Sequence, residues 1–423
     1  RELRASLQGP WREPRLSVDG RWRLPDGVPV EAPVQLRLLL TGDWRDPQAG
    51  RAQLDQLDLK APGLLIQAKG AVYPELAVNT ERLELAGPAW SGLPLVPDLL
   101  GARTPVRGSL QLRGATRSPD VTLALSQQAN PLLQDWSLTA DWSAAEGIAR
   151  LRRLGSAELE AKAALPLRWN DGRAQIGDLD AALDLRAFPL ARLGPIVGTT
   201  MGGRLSASGA LTGPLDALQP NLDLQLSNPR AGTLRLVETW SGRFEGLAGG
   251  GGQLGMASGN GPIGGSLQAS LGRNWLPTTV TLRRQRGELT LVGSPASYRW
   301  RAQGLPLDGL ELALPPKGRF EGLYGRLSGE GTLGLQPLEM AGAITLDQPG
   351  LLGLQLRQAR LEGKYRNRGY QLTGELLPPE TGQVLLEAKG LVGGGLEADL
   401  DAQGLSARWL TRGLMSLSEL NRD

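Results

Sequence analysis

The chain has 423 residues with 46 basic and 43 acidic side chains, a net charge of +3, and neither Cys nor His. The two missing residue types exclude disulfide frameworks, thiolate or imidazole metal sites and every nucleophile–His constellation. The interspersed charges exclude a polybasic nucleic-acid footprint.

The 58 Gly and 30 Pro punctuate Leu-rich segments as turn residues do, which predicts a continuous array of short strands, on the order of 30 of them. Residues 1 to 60 carry one motif twice, Leu7-Gln-Gly-Pro-Trp11-Arg-Glu-Pro14 and Leu40-Thr-Gly-Asp-Trp44-Arg-Asp-Pro47. Gly supplies a positive φ and Pro marks an edge or first-strand position, so each copy reads as a reversal between antiparallel strands. Trp11 and Trp44 read as covers for those turns in preference to an aromatic clamp. The opening Arg1-Glu-Leu-Arg already follows a strand pattern, and the final residues stop where another Gly-x-Leu strand is due. A fragment of a longer chain is the expectation. No apolar run approaches the roughly 18 to 20 residues of a membrane span.

Further along, two-residue alternation dominates: Val121, Leu123 and Leu125; Trp136, Leu138, Ala140 and Trp142; Leu183 and Leu185. Asn170-Asp-Gly172 is a hairpin signal between alternating flanks. Residues 188 to 226 join a short amphipathic helix (Leu190, Leu193, Ile196, Val197) to strands in which Leu222, Leu224 and Leu226 alternate with Asp223, Gln225 and Ser227. Residues 246 to 265 form the most Gly-rich stretch and read as a loop or thin strand. The clusters Arg283-Arg284-Gln-Arg286 and Lys364-Tyr-Arg366-Asn-Arg368 read as solvated strand faces.

The order helix, then strands, recurs at Leu93, Phe188, Leu305 and Leu405, spaced by roughly a hundred residues. This predicts helices near 93–101, 189–198, 306–312 and 405–418. It divides one array into a β-repeat segment 1–92, units 93–187, 188–304 and 305–404, and the start of another unit at 405–423. Two G-x-G-x-x-G matches, at Gly259 and Gly329, do not open a helix after a strand and carry no nucleotide site. Carboxylates are scattered, with no pair placed for acid–base work, so no catalytic, cofactor-binding or metal residue is assigned and the chain reads as non-enzymatic.

The texture of Phe188-Pro-Leu-Ala-Arg-Leu-Gly-Pro, of Gly203-Arg-Leu-Ser-Ala-Ser-Gly209-Ala-Leu-Thr-Gly-Pro-Leu and of Asn228-Pro-Arg-Ala-Gly-Thr-Leu-Arg-Leu resembles the TamB family, especially its cyanobacterial and chloroplast relatives. The resemblance implies an AsmA-like, bridge-type lipid-transfer protein. Its fold would be all-β, an elongated, curled antiparallel sheet forming a groove, with a few short amphipathic helices between repeats. It also implies a parent anchored in the inner membrane and reaching through the periplasm or intermembrane space. That parent would carry phospholipid acyl chains, or assist outer-membrane protein assembly beside an Omp85-type β-barrel partner. The groove would be lined by Leu123 and Leu125; by Leu222, Leu224, Leu226, Leu234 and Leu236; by Leu352, Leu354 and Leu356; and by Leu396 and Leu400. A closed structural or adhesin-like β-solenoid and a chaperone offering strand edges to client barrels are the alternatives the same alternation allows.

Overall fold

The computed structural model describes residues 2–11, 14–21, 50–61, 64–86, 104–116, 118–170, 173–197, 199–260, 263–294, 296–314, 319–335, 337–351, 354–391, 395–409 and 411. The chain is all-β and divides into two compact units, Arg1–Arg186 with Ala210–Leu215, and Ala187–Gly209 with Asp216–Asp423.

In the first unit, β1 (Glu2–Gln8) and β2 (Arg15–Arg21) form a separate antiparallel hairpin. The main sheet follows with β3 (Ala52–Ala61), β4 (Leu64–Tyr73), β5 (Glu75–Leu85), β6 (Val106–Ala115), β7 (Ser118–Asn130), β8 (Gln134–Ser143), β9 (Ile148–Gly155) and β10 (Leu159–Asn170), each antiparallel to its predecessor. The short β11 (Arg173–Ile176) folds back on the end of β10, and Asn170 pairs with Arg173 as the Asn-Asp-Gly signal requires. β12 (Leu179–Pro189) takes the remaining length of β10.

The second unit holds β13 (Met201–Gly213) as far as Gly209, then β14 (Gln219–Ala231), β15 (Leu234–Leu236), β16 (Thr239–Gly246), β17 (Gly252–Asn260), β18 (Gly265–Leu271), β19 (Pro277–Arg284), β20 (Gly287–Ser294) and β21 (Ser297–Pro306). It continues with β22 (Leu310–Leu314), β23 (Arg319–Gly322), β24 (Tyr324–Leu335), β25 (Leu338–Leu351), β26 (Leu354–Gln355), β27 (Gln358–Arg366), β28 (Gly369–Leu377), β29 (Gln383–Leu391) and β30 (Leu396–Gln403). The main ladder runs β14, β16 to β21, β24, β25 and β27 to β30, antiparallel throughout.

The expected curled groove is corrected to an open ladder: in neither unit is the sheet closed or strongly curled. Most strands of the ladder pair with strands close to them along the chain, and no pairing among the described residues joins β30 back to β14 or β10 back to β3. The expected helices are also reduced. The one near 189–198 is a 3-10 turn, Leu190–Leu193, running into the single turn α1 (Gly194–Val197). Residues 307–309 are a turn, with the Leu310 N–H donating to Leu307 O at 2.9 Å, and the alternating Leu310, Leu312 and Leu314 continue as β22. In 405–418 the described helix is a turn at 407–409, while 93–101 lies outside the described residues. Trp11 is 89% exposed and covers nothing, which corrects its reading as a turn cover; Trp44 lies outside the described residues.

Glycine inside the ladder has a packing reason at Trp300. This residue pairs with Gly331, which pairs with Gly342. A Cβ on either glycine would fall 2.8 or 2.6 Å from atoms of the indole. The ring therefore lies flat across two neighbouring strands and supplies the cover that the glycines lack.

One end of the second unit is braced. β15 pairs with β14 through two residues on one edge and with β22 on the other, Leu234 with Leu312 and Leu236 with Leu310, and β22 pairs with β23. Arg235 binds Glu311 across this side sheet and stacks 4.0 Å above the Phe320 ring. Beneath it, Arg284 at the end of β19 reaches Glu238, just before β16, and donates to Asp308 O at 2.7 Å. Arg284 and Glu238 are 1% and 0% exposed. The solvated-face reading of this Arg cluster therefore holds for Arg283 and Arg286 but fails for Arg284.

Candidate functional site

Directly paired residues of antiparallel strands share a face, so registers convert a sequence alternation into rows that run across a sheet. In the second unit one row passes from Leu224 through Gly242, Met256, Leu267, Leu282 and Leu289 to Ala302. It continues through Gly329, Ile344, Leu361, Gly374 and Leu386 to Leu400 on β30. The row one position along holds Asp223, Arg243, Gln268, Thr281, Thr290 and Arg301, then Glu330, Glu362, Thr373, Glu387 and Asp399. One face is a band of aliphatic side chains and the other is polar.

Among the described residues most leucines of the aliphatic band are only partly withdrawn from water. Met256 and Ala302 of the row are buried, as are Tyr298, Ala359 and Val384 on the same face, whereas Leu224, Leu267, Leu282, Leu289, Leu361 and Leu386 are each half-buried. A packed β-sandwich would bury such positions fully. In the first unit the corresponding face contains an apolar hollow of about 350 Å³, lined by residues that include Val121, Leu123, Ala140, Trp142, Leu151 and Leu165. A hollow of about 480 Å³ on the second unit lies mainly on the polar face. It is bordered by Arg243 and Glu245 together, so it presents no charge of a single sign.

The expected lining residues fall into distinct places. Leu222, Leu224 and Leu226 lie together half-buried on β14, with Asp223 and Gln225 exposed on its other face. Leu123 and Leu125 are half-buried on β7, facing Ala140 and Leu138. Leu234 and Leu236 are in β15, off the main ladder, and Leu234 is exposed. Leu354 is half-buried in β26, and Leu356 is half-buried outside any strand. Leu396 is in β30, and Leu400 on the same strand is exposed. Leu352 lies outside the described residues. The cross-strand rows bring in Leu267, Leu282, Leu289, Leu361 and Leu386, which sequence reasoning left out although each obeys the same alternation.

Buried polar groups elsewhere are structural. Gln127, Asn130 and Trp136 interlock at the β7–β8 hairpin: Asn130 Nδ2 and Trp136 Nε1 donate to Gln127 Oε1 at 2.9 and 3.0 Å. Asn130 Oδ1 accepts the N–H groups of Leu132 and Leu133. Glu238 is titratable and buried, and desolvation outweighs the Arg284 guanidinium, holding its carboxyl above the ordinary value of 4.5. Its partner is Arg284 of the brace. No group of acidic side chains able to hold a metal ion, and no helix long and apolar enough to cross a membrane, occurs among the described residues. No family model matches the chain, and no curated protein or solved structure is detectably similar to it.

Proposed function

We propose that this chain is a non-enzymatic segment of an envelope protein whose apolar sheet face carries phospholipid acyl chains between inner and outer membranes. One observation carries the reading: an aliphatic band many strands wide whose leucines are largely half-buried among the described residues, backed by a wet face. Apolar area removed from water stabilises by roughly 25 cal/mol per Å², so a band of partly exposed leucines gains when something apolar lies on it. Leucine tips without β-branched interlocking suit a fluid covering such as acyl chains. The polar face keeps the sheet in the aqueous space while the other holds lipid.

The TamB-like texture of the sequence supports placing that work in the periplasm or intermembrane space, in a parent held at the inner membrane. It also supports an Omp85-type β-barrel as outer-membrane partner and a contribution to outer-membrane biogenesis. The wide face needs no strong curl for this role, since a row of leucines can guide acyl chains along an open sheet.

Organic extraction of the purified chain followed by mass spectrometry tests the reading. Co-purified phospholipid above that of a control protein prepared in parallel is the expected result, and its absence would remove the proposal's support.

A further inference from the structure

The two margins of the second unit, where its hairpins turn, differ in chemistry. At one margin the turns between β16 and β17, β18 and β19, β24 and β25, and β29 and β30 present Leu247, Trp275, Leu276, Leu335, Leu338 and Leu391, between 37% and 59% exposed. Neighbouring turns touch. A Cβ on Gly250 would meet Arg273 at 3.3 Å, one on Gly334 would meet Ala296 O at 3.1 Å, and one on Gly369 would meet Leu391 at 3.8 Å. Phe244 and Trp275 have their rings 5.9 Å apart.

Between these apolar tips stand Arg273, Arg299 and Arg368, all exposed and without a carboxylate at ion-pair distance among the described residues. The nearby acids are occupied, Glu339 by Arg366 at 2.8 Å and Glu245 by Arg243 at 3.8 Å. The opposite margin carries Gln285, Arg286, Gln348 and Glu380 at its turns, of both signs, with Tyr324 and Leu234 as its exposed large apolar side chains among the described residues.

We infer that the Leu247–Leu391 margin docks on the surface of a bilayer that contains anionic phospholipid. Trp and Leu tips fit the boundary between headgroups and acyl chains, and interleaved arginines fit lipid phosphates. A line of separate hairpin tips matches an extended surface better than the pocketed contact of one protein partner. The inference concerns a margin, so it stands or falls separately from acyl-chain binding on the sheet face.

Flotation with vesicles tests it, using phosphatidylcholine alone and phosphatidylcholine containing phosphatidylglycerol. The chain should float with the anionic vesicles and lose this at high salt. Trp275→Ser with Leu276→Ser and Leu338→Ser should weaken flotation by about tenfold or more, as should Arg273→Ala with Arg368→Ala through the charge component. Tyr324→Ser with Gln285→Ser, on the opposite margin, should leave it unchanged. Leu282→Arg on the sheet face should also leave flotation unchanged, whatever it does to co-purified lipid. No flotation by the unaltered chain, equal flotation with both vesicle types, or equal loss in variants of both margins would overturn the inference. So would a margin variant that alters only the protein's sedimentation without vesicles, since this would mark a contact between copies.

Discussion

Arg284 donates to the Glu238 carboxylate with both side chains withdrawn from water, although forty-six residues of chain separate them. Removing one partner leaves the other charge buried alone, which costs about 3–5 kcal/mol, whereas well-packed apolar replacement of both is close to neutral. Arg284→Ala should therefore lower the urea midpoint strongly, and Arg284→Met combined with Glu238→Leu should recover most of the loss. Additive losses in the double variant would show that the two side chains act independently.

The same pair gives stability a pH dependence of known sign. The Glu238 carboxyl is held above its ordinary value of 4.5, first by desolvation. An acid raised on folding contributes stability that is complete below its unfolded pKa and is lost as pH climbs through the folded pKa. Glu238→Gln removes that loss. The stability of the variant relative to the unaltered chain should rise as pH climbs above the ordinary value of 4.5; a difference that fell would contradict the burial argument.

Gly309 should tolerate no side chain. Its φ is +83°, and a Cβ there would lie 2.4 Å from Glu238 Oε1. Gly309→Ala combines left-handed strain with displacement of a buried ion pair, so a loss of about 2 kcal/mol or more is expected. Thermal unfolding beside Gly255→Ala, where a Cβ would meet nothing within 4 Å, separates this from a general effect of glycine replacement.

The faces of β14 can be distinguished chemically. A photocrosslinking residue at Leu224 should capture phospholipid, and one at Gln225, exposed on the other face, should not. Equal capture at both sites would argue against a sided surface.

A charge at a half-buried position of the band should be cheaper than a lesion at a buried position of the same face. Leu224 is half-buried, so Leu224→Arg can turn its guanidinium to water and should cost about 1–2 kcal/mol. Tyr298 is 1% exposed and its hydroxyl donates to Pro277 O at 2.8 Å, so Tyr298→Ala should cost about 3–5 kcal/mol. Urea unfolding ranks the two, and a reversed order would mean that the band is packed by a second layer.

Much of the architecture was legible because strand alternation has a short period. Leu222, Leu224 and Leu226 announce their face locally, and Asn170-Asp-Gly172 announces its hairpin. The misread helix at 306–312 shows the limit of that reading: Leu307 and Leu310 have helical spacing, but Gly309 takes a positive φ and β22 finds β15 as its partner. That partner lies more than seventy residues earlier in the chain, where no local pattern points to it.

The sequence by itself determined that this chain is a long antiparallel array with one apolar and one polar face, because turn residues and two-residue alternation act between near neighbours. Only the tertiary structure decided that Arg284 is buried while Arg283 is exposed, that Leu224 and Leu282 belong to one row, and that apolar turns gather on one margin. Those facts depend on register and on long-range pairing, which set what each side chain faces but leave no periodic mark on the residues themselves.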